Sequence, residues 1–245
     1  MGERGPAIKL SRAERATLKI ALWFMRLRYE VFGQTLVLGQ VHVRPVPNLV
    51  VFINHRRIED SFFVGQALFG RLMRQDPDTL PWNVPKRRWY TRIPPINLIL
   101  RQVRTIRIKV DRHHQPSDPA AIRRIIRTLK AGQTVMLFPE GTRSETDVMG
   151  PLLVSACLVP LMASSSLMIV FHTYTPHPRF HFWGAGYTGQ RRTVAASRIL
   201  TPAEVAELAG SGSLREQSEQ LASRLTEKFA ELREFVLARH QAQRC

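Results

Sequence analysis

Cysteine is nearly absent from this 245-residue chain, which has only Cys157 and Cys245. Two thiols cannot build a disulfide framework, so the sequence predicts a reducing, intracellular setting. Acidic residues are also scarce. Nineteen Asp and Glu stand against 36 Lys and Arg, a formal charge of +17. An excess of this size suits an anionic partner: a membrane face, a phosphorylated substrate or nucleic acid. Glycine (14) and proline (16) show no collagen-like or linker-like enrichment, and the chain has no internal repeat. Long hydrophobic runs are missing from the N-terminus, where Ile20 to Met25 lie uncharged between Lys19 and Arg26. That run is too short for a signal-peptide core or a spanning helix, and Pro6 breaks the myristoylation pattern behind Gly2. The charge-free stretch Val148 to His172 is long enough to span a bilayer. Pro151, Pro160, Ser155 and Ser164 to Ser166 interrupt it, so it reads as a buried helix followed by a core strand rather than a membrane span.

What is present is ample core material. Hydrophobic residues make up 44% of the chain, enough for one large α/β domain or two small ones. Ser11 and Glu14 have capping-box spacing at the head of a helix over residues 11 to 32. Its Lys19, Arg26 and Arg28, mixed with Trp23, Phe24 and Phe32, fit a helix lying on a bilayer surface as well as one packed on the core. Leu36 to Val43 and Leu49 to Asn54 read as strands, and Asp60 to Arg74 as a helix. Thr105 to Val110 alternates like a strand. Ala120 to Leu129 is helical in pattern and stops at Gly132, and Thr134 to Phe138 is a short buried strand. Leu167 to Tyr174 and Phe180 to Trp183 read as further strands. Leu221, Leu225, Phe229, Leu232 and Val236 mark a long amphipathic C-terminal helix. Strands alternating with helices predict an α/β fold: a mixed, largely parallel sheet flanked by helices, with an N-terminal amphipathic helix and a long C-terminal helix. The expected division is 1–34 as a surface helix, 35–200 as the α/β unit and 201–245 as a helical segment.

The sharpest local pattern is Asn54-His55-Arg56-Arg57-Ile58-Glu59-Asp60. A histidine ends an apolar strand, and five residues later an aspartate opens a helix. Across such a turn the Asp60 carboxylate can reach one imidazole nitrogen, leaving the other to take a proton from a hydroxyl. No Gly-x-Ser-x-Gly elbow is present, and neither Ser61 nor Cys157 has an activating context. The attacking hydroxyl can therefore belong to the substrate. Alone, the pair also fits a satisfied histidine beside a helix N-terminal aspartate. A second pattern, Phe138-Pro139-Glu140-Gly141-Thr142-Arg143-Ser144, follows a buried strand and offers a turn with a guanidinium suited to phosphate. His172, His177 and His181 lack tight paired spacing and any Cys or carboxylate partner. They read as part of a solvated loop between two strands, not as a metal site.

Together NHRRIED and FPEGTRS resemble the paired motifs of the phospholipid/glycerol acyltransferase family, which includes the lysophosphatidate acyltransferases. The resemblance covers residues 20 to 145 and takes in Lys86-Arg87 to Pro94, Ile108-Lys109-Val110-Asp111-Arg112 and the helix ending at Gly132. It implies that His55 is the general base and Asp60 its orienting partner, and that Arg112, Glu140, Gly141, Thr142 and Arg143 bind the acceptor's phosphate. The implied reaction is direct acyl transfer from acyl-CoA or acyl carrier protein to lysophosphatidate, with no metal and no cofactor. Another lyso-lipid or glycerol 3-phosphate is the alternative acceptor, and a catalytically lapsed lipid-binding relative the alternative function. The implied location is the cytoplasmic face of a membrane, with an anionic lipid surface and no nucleic acid as partner. The chain departs from the family pattern after Ser144, where a Phe-Lys-x-Gly-like stretch is replaced by ETDVMG and no Lys or Arg occurs before Arg179.

Overall fold

The computed structural model describes residues 9–31, 34–57, 59–85, 104–108, 118–144, 147–175 and 191–242. The chain begins with α1 (Arg12–Arg26), which continues into a wider π-type turn at Leu27–Val31. Ser11 caps α1 as its spacing predicts: its Oγ accepts from the Glu14 amide at 3.2 Å, and Glu14 Oε2 accepts from the Ser11 amide at 2.7 Å. Strand β1 (Gln34–Leu38) is shorter than the expected Leu36 to Val43. Gly39 ends it at φ +71°, where a Cβ would stand 2.1 Å from the Ala196 carbonyl oxygen, so only glycine fits.

Strand β2 (Leu49–Ile53) is buried throughout and leads into α2 (Asp60–Val64), a second π-type turn (Gly65–Phe69) and α3 (Gly70–Gln75). Then come β3 (Trp82–Asn83), α4 (Pro119–Lys130), β4 (Thr134–Leu137), α5 (Val154–Ala163) and β5 (Ser166–Tyr174). The chain closes with β6 (Arg191–Ala196), α6 (Pro202–Ala209) and α7 (Leu214–Ala242). Of the expected Thr105 to Val110 strand, Thr105 forms a parallel bridge with Asn83, and Lys109 and Val110 lie outside the described residues. Phe180 to Trp183 lies outside the described residues.

Among the described residues the sheet has six strands in the order β1-β6-β5-β2-β4-β3. All pairings are parallel except β5 with β6. Alternation along the strands builds two apolar layers. Val50, Phe52, Leu167, Ile169 and Phe171 face one way, into a core closed by Ile125 and Leu129 of α4, Cys157 of α5, and Leu221, Leu225, Phe229 and Val236 of α7. Leu49, Val51, Ile53, Met168 and Val170 face the other way, against Leu18 and Leu22 of α1 and Phe63 and Val64 of α2. Each fully buried Leu or Phe contributes roughly 1.5–3 kcal/mol, so both terminal helices help hold the sheet. Residues 154–174 form the expected helix and core strand, the helix burying Cys157, Val159, Pro160 and Ala163 while Val154 and Met162 are exposed. No helix among the described residues is long and apolar enough to cross a membrane.

Candidate active site

The C-terminal ends of β2, β4 and β5 meet at one edge of the parallel part of the sheet, where open α/β folds place their sites. Past Ile53, the Asn54 side chain takes over from the peptide ladder. Its Oδ1 accepts from the His172 amide at 2.8 Å and its Nδ2 donates to the His172 carbonyl at 3.0 Å. The amide side chain thus stands in for a backbone peptide group and locks the end of β2 to the end of β5. His55 comes next, on the α2 side of the sheet.

His55 is fixed from several directions. Its Nδ1 lies 3.1 Å from Asp60 Oδ2, and its ring stacks on Phe138 with centroids 4.0 Å apart. A carboxylate oxygen only accepts, so Nδ1 carries a proton, and in the neutral ring Nε2 then has the lone pair. Nε2 has no hydrogen-bond partner among the described residues. The backbone is clamped by the second motif: His55 donates its amide to Glu140 Oε1 at 2.9 Å, and its carbonyl accepts from the Ser144 amide at 2.7 Å. The two sequence motifs therefore meet on one residue.

Asp60 is 2% exposed. Its Oδ2 also accepts from the Arg56 and Arg57 amides, each at 2.6 Å. Burial by itself would raise its pKa, but the charge and hydrogen bonds of His172 and His55 outweigh that and hold the carboxyl well below the usual aspartate range. Glu140 is buried as well, and burial pushes its carboxyl up, opposed by the amides of His55 and Gly150. Both its oxygens are occupied, Oε1 by His55 and Oε2 by the Gly150 amide at 2.9 Å. Gly141, at φ +68°, gives its amide to the Phe138 carbonyl and so shapes the turn. Thr142 and Arg143 are the exposed members of the loop. Arg112, Lys86-Arg87, His177 and His181 lie outside the described residues.

Three features escaped the sequence reading. His172 belongs to no solvated loop; it sits 1% exposed near the end of β5, with Nε2 3.6 Å from Asp60 Oδ2. The alternation of β5 places it with Met168 and Val170 beneath α2, and its place in phase with those two apolar residues was the available signal. Arg56 donates to Asp147 Oδ1 at 2.5 Å and to Thr173 Oγ1 at 3.2 Å, while the Arg56 and Arg57 guanidinium groups lie 4.3 and 3.7 Å from the Tyr174 ring centroid. Arg233 of α7 donates to the Asp147 carbonyl at 2.6 Å, which ties the C-terminal helix to the same edge. Among the described residues no group of three His, Cys, Asp or Glu could hold a metal ion.

Among solved structures, the 1-acyl-sn-glycerophosphate (LPA) acyltransferase PlsC from Thermotoga maritima is similar, with a TM-score of 0.58 over 89% of this chain and 82% of that one. Sequence identity is 20%, so the likeness speaks for the fold. No curated protein matches the sequence significantly. The model of a family described as acyltransferase matches residues 35–178, more than half of the chain, and runs through both motifs that converge on His55. This chain belongs to the phospholipid/glycerol acyltransferase family.

Proposed function

We propose that the chain transfers a fatty acyl group from an acyl thioester, on coenzyme A or acyl carrier protein, to a hydroxyl of 1-acyl-sn-glycerol 3-phosphate. The observation that carries this reading is the His55 ring, held by Asp60 and Phe138 with its Nε2 lone pair left without a partner among the described residues. The name of the similar T. maritima enzyme supports the choice of acceptor.

In the reaction, the acceptor hydroxyl gives its proton to His55 Nε2 as its oxygen attacks the thioester carbonyl. Asp60 stabilises the imidazolium that forms. Collapse of the tetrahedral intermediate breaks the C–S bond, and the leaving thiolate takes the proton back from His55. The balance closes without a metal or a cofactor. Holding hydroxyl and thioester together beside the base supplies much of the rate, since effective molarities reach about 10⁵ M or more. The acceptor's phosphate is met by Thr142 and Arg143, with Arg112 a further candidate. Glu140 and Gly141 act by shaping the loop, because their polar groups are already committed.

The protein works at the cytoplasmic face of a membrane. Ile20, Trp23 and Phe24 of α1 are exposed, at 60%, 57% and 60%, while Leu18 and Leu22 on the opposite side of the helix are buried. An apolar outer face among cations is the composition of an interfacial helix. Residues 1–34 then form the surface segment, 35–200 the acyltransferase unit and 201–245 the helical brace. The +17 excess serves lipid and phosphorylated substrates rather than nucleic acid.

The test is lipid mass spectrometry on purified protein offered mixed lyso-acceptors and both donor types. Wild type should form phosphatidate from lysophosphatidate, and His55→Ala should lower the rate by about 10²- to 10⁴-fold. Equal rates in the two proteins would refute the assignment. Lipid binding without any product would favour a catalytically lapsed relative.

A further inference from the structure

His172 is a buried titratable group at the site that the acyl-transfer scheme leaves unused. Its Nε2 stands 3.2 Å from the Asn54 carbonyl oxygen and 3.6 Å from Asp60 Oδ2. Both are acceptors, so Nε2 carries the proton. Its Nδ1 is buried with no hydrogen-bond partner among the described residues, so a second proton there would find no acceptor among them. The backbone amide and carbonyl of His172 are both held by Asn54, and Phe63 meets the ring edge-on at 5.8 Å. One carboxylate oxygen is thus faced by two imidazoles, Nδ1 of His55 at 3.1 Å and Nε2 of His172 at 3.6 Å.

We propose that His172 is a positioning residue for proton transfer at His55, its Nε2–H sharing the Asp60 carboxylate so that His55 is oriented without being held as imidazolium. The inference rests on the general-base role proposed above. With His172 absent, the full charge of Asp60 would act on His55 alone. That favours protonated His55 and removes base at a given pH, and it also frees the carboxylate to turn. The charged or titratable groups around this pair are Asp60 at the start of α2, Glu140 in the loop after β4, and Arg192 of β6. The Arg192 guanidinium lies 5.1 Å from the Tyr29 ring and 5.6 Å from the Phe63 ring. Replacing His172 also removes its pull on the Asp60 and Glu140 carboxyls, both of which it helps to hold down.

Two substitutions separate positioning from packing. His172→Phe keeps a ring against Phe63 and removes the donor. His172→Gln puts an amide donor at the reach of the imidazole Nε2. The full chain is assayed in detergent with lysophosphatidate and acyl-CoA or acyl carrier protein, recording kcat and KM against pH. His172→Phe should lower kcat at neutral pH by about tenfold with KM changed less than about twofold. Its low-pH limb should move by about half a pH unit or more to the alkaline side. His172→Gln should return the limb to the wild-type position and kcat to within about threefold of wild type. An unmoved limb in His172→Phe, or a His172→Gln variant as impaired as His172→Phe, overturns the proposal.

Nitrogen-15 spectra of the histidines in the wild-type chain give a readout that needs neither turnover nor a folded variant. They should show His172 protonated at Nε2 and His55 at Nδ1; His172 protonated at Nδ1 instead overturns the proposal. If wild type transfers no acyl group to any acceptor while these tautomers are found, the acyl-transfer reading fails and the two-imidazole arrangement stands.

Discussion

Asp60 is the residue on which the site's charge balance turns. Three donors converge on its Oδ2, from His55, Arg56 and Arg57, with His172 Nε2 alongside at 3.6 Å, and no uncharged side chain accepts as well from this set. Asp60→Asn presents either a weaker acceptor or an NH₂ group to these donors. It should lower turnover about 10²-fold or more and cost about 2–4 kcal/mol of stability at neutral pH. The pH dependence has a definite sign. The folded carboxyl titrates below the ordinary aspartate range, so its contribution is complete above about pH 4 and declines as pH falls further, where the unfolded chain takes up a proton first. The gap in melting temperature between wild type and Asp60→Asn, measured from pH 7 down to pH 3, should therefore narrow below about pH 4; a constant gap would contradict it. Glu140 has the opposite sign, since burial raises its pKa: whatever it contributes fades as pH rises through its folded value. Cys157, whose thiol burial pushes up to about 12, stays protonated and inert. At this scale His55 and Asp60 were legible in the sequence, because their pairing is local. The partners of Glu140, 85 residues away from His55, and of His172, 118 residues from Asn54, were not.

Among the elements, α1 carries the clearest division of labour. Its inner face packs on α2 and α3, and its N-terminal end is moored at Asp78, which accepts from the Leu10 amide at 2.8 Å and forms an ion pair with Arg15. Its outer face keeps Trp23 and Phe24 exposed, their rings edge-to-face at 4.9 Å, although burial of either would be favourable. Replacing both by Ser should leave the fold intact, since neither side chain is in the core. Binding to anionic vesicles in a sedimentation assay should weaken by about tenfold or more, given about 1.5–3 kcal/mol per apolar side chain removed from water. Unchanged vesicle binding would assign the face another role. The capping box of α1 could be read from Ser11 and Glu14, because capping depends on residues three apart. β6 could not be read: Arg191-Arg192-Thr193 lacks the apolar run of a core strand. It is a strand because β5 and β1 each offer it a ladder, and because Arg192, 3% exposed, lies near the rings of Tyr29 and Phe63.

For the whole molecule, the +17 charge is unevenly balanced. On α7 two of the exposed cations pair within the helix, Arg215 with Glu219 at 2.9 Å and Arg224 with Glu227 at 3.6 Å. On α4 the exposed Arg123, Arg124, Arg127 and Lys130 share a helix with no acidic residue. Cations near an anionic surface contribute about 1 kcal/mol each and are screened by salt. Vesicle association should therefore weaken steadily from 50 to 500 mM salt and persist in part at the upper end through Trp23 and Phe24. Salt-independent binding would mean that the charge takes no part.

The order of residues was enough to establish the α/β class, the capped first helix, the long last helix and the His55–Asp60 pair, because each depends on periodicity or on partners within one turn. Tertiary structure alone brought the FPEGTRS loop onto the backbone of His55, set β6 between a parallel β1 and an antiparallel β5, and carried His172 beside Asp60. Those contacts join residues far apart in the chain, and no local pattern encodes them; the strand order of the sheet and the packing of α2 over β5 do.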